Sequence, residues 1–379
     1  MSSVDVPDML AASHHGHRTT IHEVTMCKSL AIGVAVLFAA LAACLPVEEP
    51  PPPDVDPRRV VVAMEEEGAI AVISEVDGAL LGKVSLADGE QAFDVHNVQG
   101  DPDGRTAWVT AMPVDNGGMS MADEELIGVD TVDLTVVKRI PLGSMLHVAH
   151  VVTDGSLAWV TAKDSDELLE VDLAAGTVLR RIALPEGTGP HGLRRTPDGS
   201  KLIIAGWDGH SLVMVDVGSG VATAHDVGGI AVQSAVLPDG SAAFVTVYDT
   251  KQVARLALDG GEVELIDLPA GSAGPVQLYP MPDSSGVWVA DQGFVNGDPA
   301  GESLYLLDGQ TGALRLTATV ASAPHGVVVS EDGSAVWTTT LAEGTVDRID
   351  TATGERLSST PVGDGPNGIS CFHQGGAMP

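Results

Sequence analysis

HNVQGDPDGRTAWVTA, residues 96–111, is answered by HVAHVVTDGSLAWVTA at 147–162, HGLRRTPDGSKLIIAG at 191–206, VQSAVLPDGSAAFVTV at 232–247, VQLYPMPDSSGVWVAD at 276–291 and HGVVVSEDGSAVWTTT at 325–340. Each copy reads as a strand, a turn of the Pro-Asp-Gly type and a second strand centred on a large apolar residue. That residue is Trp108, Trp159, Ile203, Phe244, Trp288 or Trp337, at spacings of 51, 44, 41, 44 and 49. A third strand closes each unit at Asp130, Asp172, Asp216, Asp259, Asp308 or Asp350, mostly followed by a Gly turn into a fourth. A period in the forties built from short strands predicts an all-β propeller of four-stranded antiparallel blades.

The two ends of the chain complete each other. Arg58–Leu86 has three strands and no innermost one, whereas Gly365–His373 (GPNGISCFH) is an innermost strand without a blade. Pairing the two closes a ring of seven, with the first blade shared between N- and C-terminal segments and no open sheet edge left. The Asp residues that end the third strands read as caps of their own turns rather than as ligands.

Composition narrows the function classes. The 379-residue chain carries 19 basic and 52 acidic residues, a formal net charge of -33, and only 3% aromatic residues. Such acidity disfavours nucleic acid and anionic lipid as partners, and the core is expected to be mainly aliphatic. Residues 1–25 read as an upstream extension, with translation expected to begin at Met26. Residues 26–44 follow as a signal, because LAIGVAVLFAALAAC (Leu30–Cys44) is short for a membrane span and ends on small residues before a cysteine. The segment resembles a bacterial lipoprotein signal with its lipobox, which implies lipidation of Cys44 and attachment of the mature protein to a membrane of the cell envelope. Residues 45–57 (LPVEEPPPPDVDP) form a Pro-rich acidic tether, and 58–379 the propeller. With Cys27 in the signal and Cys44 acylated, Cys371 is left without a disulfide partner.

The PHG stretches (Pro190–Gly192, Pro324–Gly326), PNG (Pro366–Gly368), TPDG (Thr196–Gly199), LPDG (Leu237–Gly240) and RIDTATGE (Arg348–Glu355) resemble the YVTN-type repeat propellers of bacterial periplasmic and surface proteins. The resemblance spans about residues 59–373 and implies a fold, since this architecture serves enzymes, electron-transfer proteins and plain binders. The PHG and PDG-x-x-W combination is also similar to virginiamycin B lyase, a metal-dependent propeller enzyme. In that family's Glu-x-His arrangement an acidic residue stands two before a repeat His; Asp94 before His96 meets this, and Met145 before His147 does not.

Aligning the copies on their turns places His96, His147, His191 and His325 at one repeat position at the start of the inner strand, expected at one mouth of the channel. Met112, Met119, Met121 and Met145 are expected on the same face. Imidazole with thioether suits copper, Cu(I) above all, so these eight residues are the candidate metal ligands. His147 and His150 form an H-x-x-H whose members, three apart on a regular strand, are expected to point to opposite sides. Two insertions, 111–125 and 291–303, read as loops on this face that contact a small ligand or a protein partner. The second has the residue types for Ca²⁺ in Asp291, Asn296 and Asp298, without the EF-hand order. No nucleophile elbow, P-loop, dinucleotide fingerprint or C-x-x-C-H haem motif occurs. The sequence therefore favours a binding scaffold of the cell envelope over an enzyme, the alternative being a metal-dependent lyase, hydrolase or copper oxidase.

Overall fold

The computed structural model describes residues 58–115, 118–293 and 297–372. The signal, Cys44, the tether and Asn296 lie outside these residues, as does the side chain of Met119. Seven antiparallel sheets follow one another, six of four strands and one of five. In blade 1 the order from the axis outward is Pro366–Cys371, Arg59–Met64, Ala69–Ser74 and Leu80–Ser85, so the last strand of the chain supplies the innermost strand of the first blade. The closure is a ladder in which Val60 faces Cys371, Val61 faces Ser370 and Val62 faces Ile369. No helix among the described residues is long and apolar enough to cross a membrane.

Alternation explains the blades. Inner and second strands such as Val148–Thr153 and Ala242–Val247 are buried along their whole length, because both faces of each sheet pack against neighbouring blades. Fourth strands such as Arg356–Pro361 face solvent, and their residues are polar or exposed. Trp159, Trp288 and Trp337 fill the interfaces between blades and are at most 1% exposed. The Asp residues ending the third strands behave as turn caps: Asp216 Oδ1 accepts from Ser219 N at 2.7 Å and Asp350 Oδ1 from Thr353 N at 2.8 Å.

One buried hydroxyl recurs between blades. Thr110, Thr161, Thr246 and Thr339 stand on second strands, and each donates to a carbonyl of the next blade's inner strand: Ala149 at 2.8 Å, His191 at 2.7 Å, Val276 at 2.8 Å and Asn367 at 2.9 Å. The same hydroxyls accept a backbone N–H of their own inner strand, from Asn97, His150, Gln233 and Gly326. That N–H is free because every inner strand breaks its pairing there, for example between Val95 and Val98, Pro190 and Leu193, and Pro324 and Val327. The bulge re-aims side chains at the axis, and the threonine satisfies the backbone groups it releases.

The insertions are sheet rather than loop. Thr106–Asp115 runs four residues past Ala111, pairs with a two-residue strand at Gly118–Met119, and returns through Glu124–Asp130. Likewise Gly286–Gly293 and Ala300–Asp308 stay paired to Gly293↔Ala300. Asp291 accepts hydrogen bonds from Ser272 Oγ, Ala273 N, Gly274 N and Tyr305 OH, so its carboxylate is spent on holding the blade and the Ca²⁺ reading loses its first ligand.

Ring closure should dominate stability. A chain ending before Pro366 leaves Arg59–Met64 as an unpaired buried-type edge, and its unfolding midpoint is expected to fall by about 10 °C or more, with self-association visible by size-exclusion chromatography. A monomer that melts with the full chain would show that the shared blade carries no such load.

Candidate metal centre at the channel mouth

The bulge assigns the seven inner strands one register. The residue whose carbonyl meets a threonine, or its equivalent, is His96, Ala149, His191, Val232, Val276, His325 and Asn367 in blades 2 to 7 and 1; the next residue is Asn97, His150, Gly192, Gln233, Gln277, Gly326 and Gly368. Blade 3 departs from the turn-based alignment by two residues. Its hairpin closes through Asp154 N to Leu157 O, whereas blades 2, 4, 5, 6 and 7 close through wider turns such as Asp101 N to Thr106 O and Thr196 N to Lys201 O. Thr153 stands where Pro102 and Pro197 stand in blades 2 and 4, and its N–H can join the ladder, pairing with Ala158. The tighter turn moves His147 away from the bulge and brings His150 into it.

His96, His150 and His191 consequently converge, one ring nitrogen from each lying within 4.8 Å of the others. Their rings meet edge to face, with centroids 5.6 Å (His96 to His150), 5.1 Å (His96 to His191) and 4.9 Å (His150 to His191) apart. Thr161 fixes two of the three through the backbone, accepting from His150 N at 2.9 Å and donating to His191 O at 2.7 Å.

Hydrogen bonds set the tautomers. His191 Nδ1 lies 2.8 Å from Val232 O, an acceptor only, so Nδ1 carries the proton and Nε2 presents a lone pair. His96 Nε2, 3.1 Å from His191 Nε2, must then be the donor. His150 Nδ1 is held at 3.2 Å by the Gln233 amide, which also donates to Gln277 at 2.8 Å. His150 Nε2 is buried and has no hydrogen-bond partner among the described residues. On the outer side, Glu65 Oε1 stands 3.7 Å from His96 Nδ1, and Glu65 Oε2 accepts from Asn367 Nδ2. Trp207 covers His191, with ring centroids 5.2 Å apart.

Burial pushes His150 and His191 well below the ordinary imidazole value, and the neighbouring histidines push them further. His325 is lowered to about 4, by burial first and then by His96. Burial would raise Glu65, but the neighbouring His96 and the hydrogen bond from Asn367 override it and hold the carboxyl well below its usual range. Asp94 is raised to about 6 by burial and by Glu65, and it lines, with Glu65, Glu66, Glu67 and Phe93, a cavity of about 680 Å³.

The donor set fits a transition-metal ion. A tetrahedral site with metal–nitrogen bonds of about 2.0–2.1 Å separates its nitrogens by about 3.3 Å, close to the distance between His96 and His191. Binding an ion would move the His96 proton from Nε2 to Nδ1, where Glu65 faces it in a carboxylate–histidine arrangement, and, because Gln233 donates to His150 Nδ1, would also require His150 to give up its Nε2 proton.

Of the eight residues expected as ligands, His96 and His191 are in the cluster. His325 lies beside it with Nδ1 against Gln292 Oε1, while His147, Met112, Met121 and Met145 line a separate pocket. His150 was missed because strand alternation does not hold across a bulge; the shortened TDGS turn was the available signal.

No protein-family model and no curated protein matches the chain by sequence. Solved structures do match. Virginiamycin B lyase from Staphylococcus aureus superposes with a TM-score of 0.60 at 15% identity, covering 75% of this chain and 91% of that one. Hydrazine synthase from Kuenenia stuttgartiensis gives 0.60 at 16%, covering 73% and 89%. A functionally unknown protein from Desulfotomaculum acetoxidans gives 0.65 at 13%, covering 84% and 99%. The chain is thus a seven-bladed propeller of the lyase-like shape, and at these identities the likeness is one of fold alone.

The lowered histidines set a pH dependence. In the unfolded chain these imidazoles take up protons below about 6.5, whereas in the folded ring they stay neutral to lower pH, so the unfolded state binds more protons and stability falls as pH drops from about 6.5 toward 4. His325→Gln should flatten the slope of melting temperature against pH in that window in chelator-treated protein. An unchanged slope would mean that His325 is not held neutral by its surroundings.

Proposed function

We propose that this protein is a metal-binding scaffold of the bacterial cell envelope, taking one transition-metal ion of the copper or zinc class at His96, His150 and His191 and tethered by lipid on Cys44. The observation that carries the reading is the convergence of three imidazoles from three blades, one of which, His150, has a buried Nε2 with no hydrogen-bond partner among the described residues. An orphaned buried nitrogen is costly, and an ion that replaced the proton on it would remove the cost. Imidazole donors suit zinc, copper, iron and nickel, with geometry and availability choosing among them. A carboxylate behind His96 and a carbonyl behind His191 are the outer partners such ligands commonly have.

Asp94 supports a second reading, a metal-dependent lyase or hydrolase. Its carboxyl, raised to about 6 and with a buried oxygen lacking a partner, is tuned for proton transfer near neutrality and faces the large cavity beside His96. The match to virginiamycin B lyase concerns fold alone, and virginiamycin B is a first compound for assay. Asp94→Asn should leave metal uptake intact and abolish any turnover found; unaltered turnover would remove Asp94 from the reaction.

The full chain, exposed to copper or zinc and desalted, is expected to retain close to one equivalent by elemental analysis. A His150→Ala/His191→Ala double variant should bind at least tenfold more weakly while staying folded by circular dichroism. Equal uptake by the variant would overturn the proposal. Mass spectrometry of the mature N-terminus tests the tether separately: an unacylated chain retaining Leu30–Cys44 would reject it.

A further inference from the structure

The methionines that the three-histidine cluster leaves unused are gathered elsewhere. Met112, Met121, Met145 and His147 line one pocket of about 240 Å³, together with Asp164 and the stem of Glu124. Met121 and Met145 are 72% and 63% exposed, so neither is there to fill the core.

The backbone presents these side chains deliberately. Met145 and His147 both have left-handed φ, 58° and 51°, in a segment where neither is glycine. Glu124, itself buried, holds that segment by accepting from Leu146 N at 2.7 Å, His147 N at 3.0 Å and Val148 N at 2.7 Å. Leu146 between them is buried in the core, which turns Met145 and His147 outward into the pocket on either side of it. Glu124 also ends the insertion that carries Met112 and Met121, so one carboxylate ties the two halves of the pocket together. His147 Nδ1 stands 3.9 Å from Asp164 Oδ1, and both residues line the pocket.

We infer that this pocket is a second, soft-metal site, binding Cu(I) or an ion of the same class through the thioethers of Met112, Met121 and Met145 and the imidazole of His147. Thioether sulfur is a poor ligand for hard cations and a good one for Cu(I), and three thioethers with one imidazole discriminate against zinc, magnesium and calcium. The site is distinct from the His96, His150 and His191 cluster and does not depend on it.

Silver(I), a redox-inert probe of the same class, tests the site by titration of the full chain with native mass spectrometry. Met121→Leu/Met145→Leu keeps the apolar volume and removes two sulfurs at exposed positions where folding is not at stake. The wild-type chain and the His150→Ala/His191→Ala variant should each bind one silver ion that the leucine variant binds at least tenfold more weakly. Zinc uptake should be the same in the wild-type and leucine chains. Unchanged silver stoichiometry and affinity in the leucine variant would overturn the inference and leave an apolar pocket, without touching the three-histidine site.

Discussion

Closing seven sheets around one axis forces every inner strand to end at the same small circle, and the buried threonine between blades decides what is presented there. Each hydroxyl accepts a backbone N–H released by a bulge and donates to the carbonyl of the neighbouring blade. A net hydrogen bond of this kind contributes on the order of 1 kcal/mol, whereas losing the hydroxyl would leave two buried backbone groups unpaired at about 1–3 kcal/mol each. The bridge therefore matters more as a constraint than as a source of stability. It keeps the bulges in phase, and the bulges aim side chains at the axis.

Three imidazoles follow from that constraint. Thr161 sets the backbone at both His150 and His191, and ring closure brings Glu65, in the turn after the first strand, against Asn367 from the last strand and His96 from the second blade. The two ends of the propeller thus contribute to one small polar cluster, so an ion bound there would join distant parts of the chain. The surrounding acidity acts in the same sense. With a formal charge of -33 on the chain, cations are drawn toward the surface, and Glu65 and Asp94 stand where the cavity meets the cluster.

Much of the fold was legible because repetition averages out local ambiguity. The large apolar residue of the second strand and the Asp closing the third recur too regularly for another architecture, and the incomplete units at both ends specify how the ring closes. The site was legible only in part. His96 and His191 share a register that the Pro-Asp-Gly turns preserve. In blade 3, Thr153 replaces the proline, the turn tightens, and a register read from turns places His147 where the chain places Ala149. A two-residue difference in one hairpin puts Ala149 at the position of His96 and His191, and His150, the next residue, is the one that reaches the cluster. Likewise, insertions rich in Gly and Asp read as loops although their backbones continue the ladders of the blades, since cross-strand pairing is not written locally. Met112, Met121 and Met145 share a pocket, but the division between a three-histidine cluster and that pocket depends on the left-handed turn that Glu124 holds, and no local sequence rule announces it.

X-ray absorption at the zinc edge of the zinc-loaded full chain tests the central claim most directly. The account predicts a first shell of nitrogen or oxygen at about 2.0–2.1 Å with the multiple-scattering signature of three imidazoles, reduced by one on replacing His150. A shell of oxygen alone, or an imidazole count indifferent to His150, would contradict it.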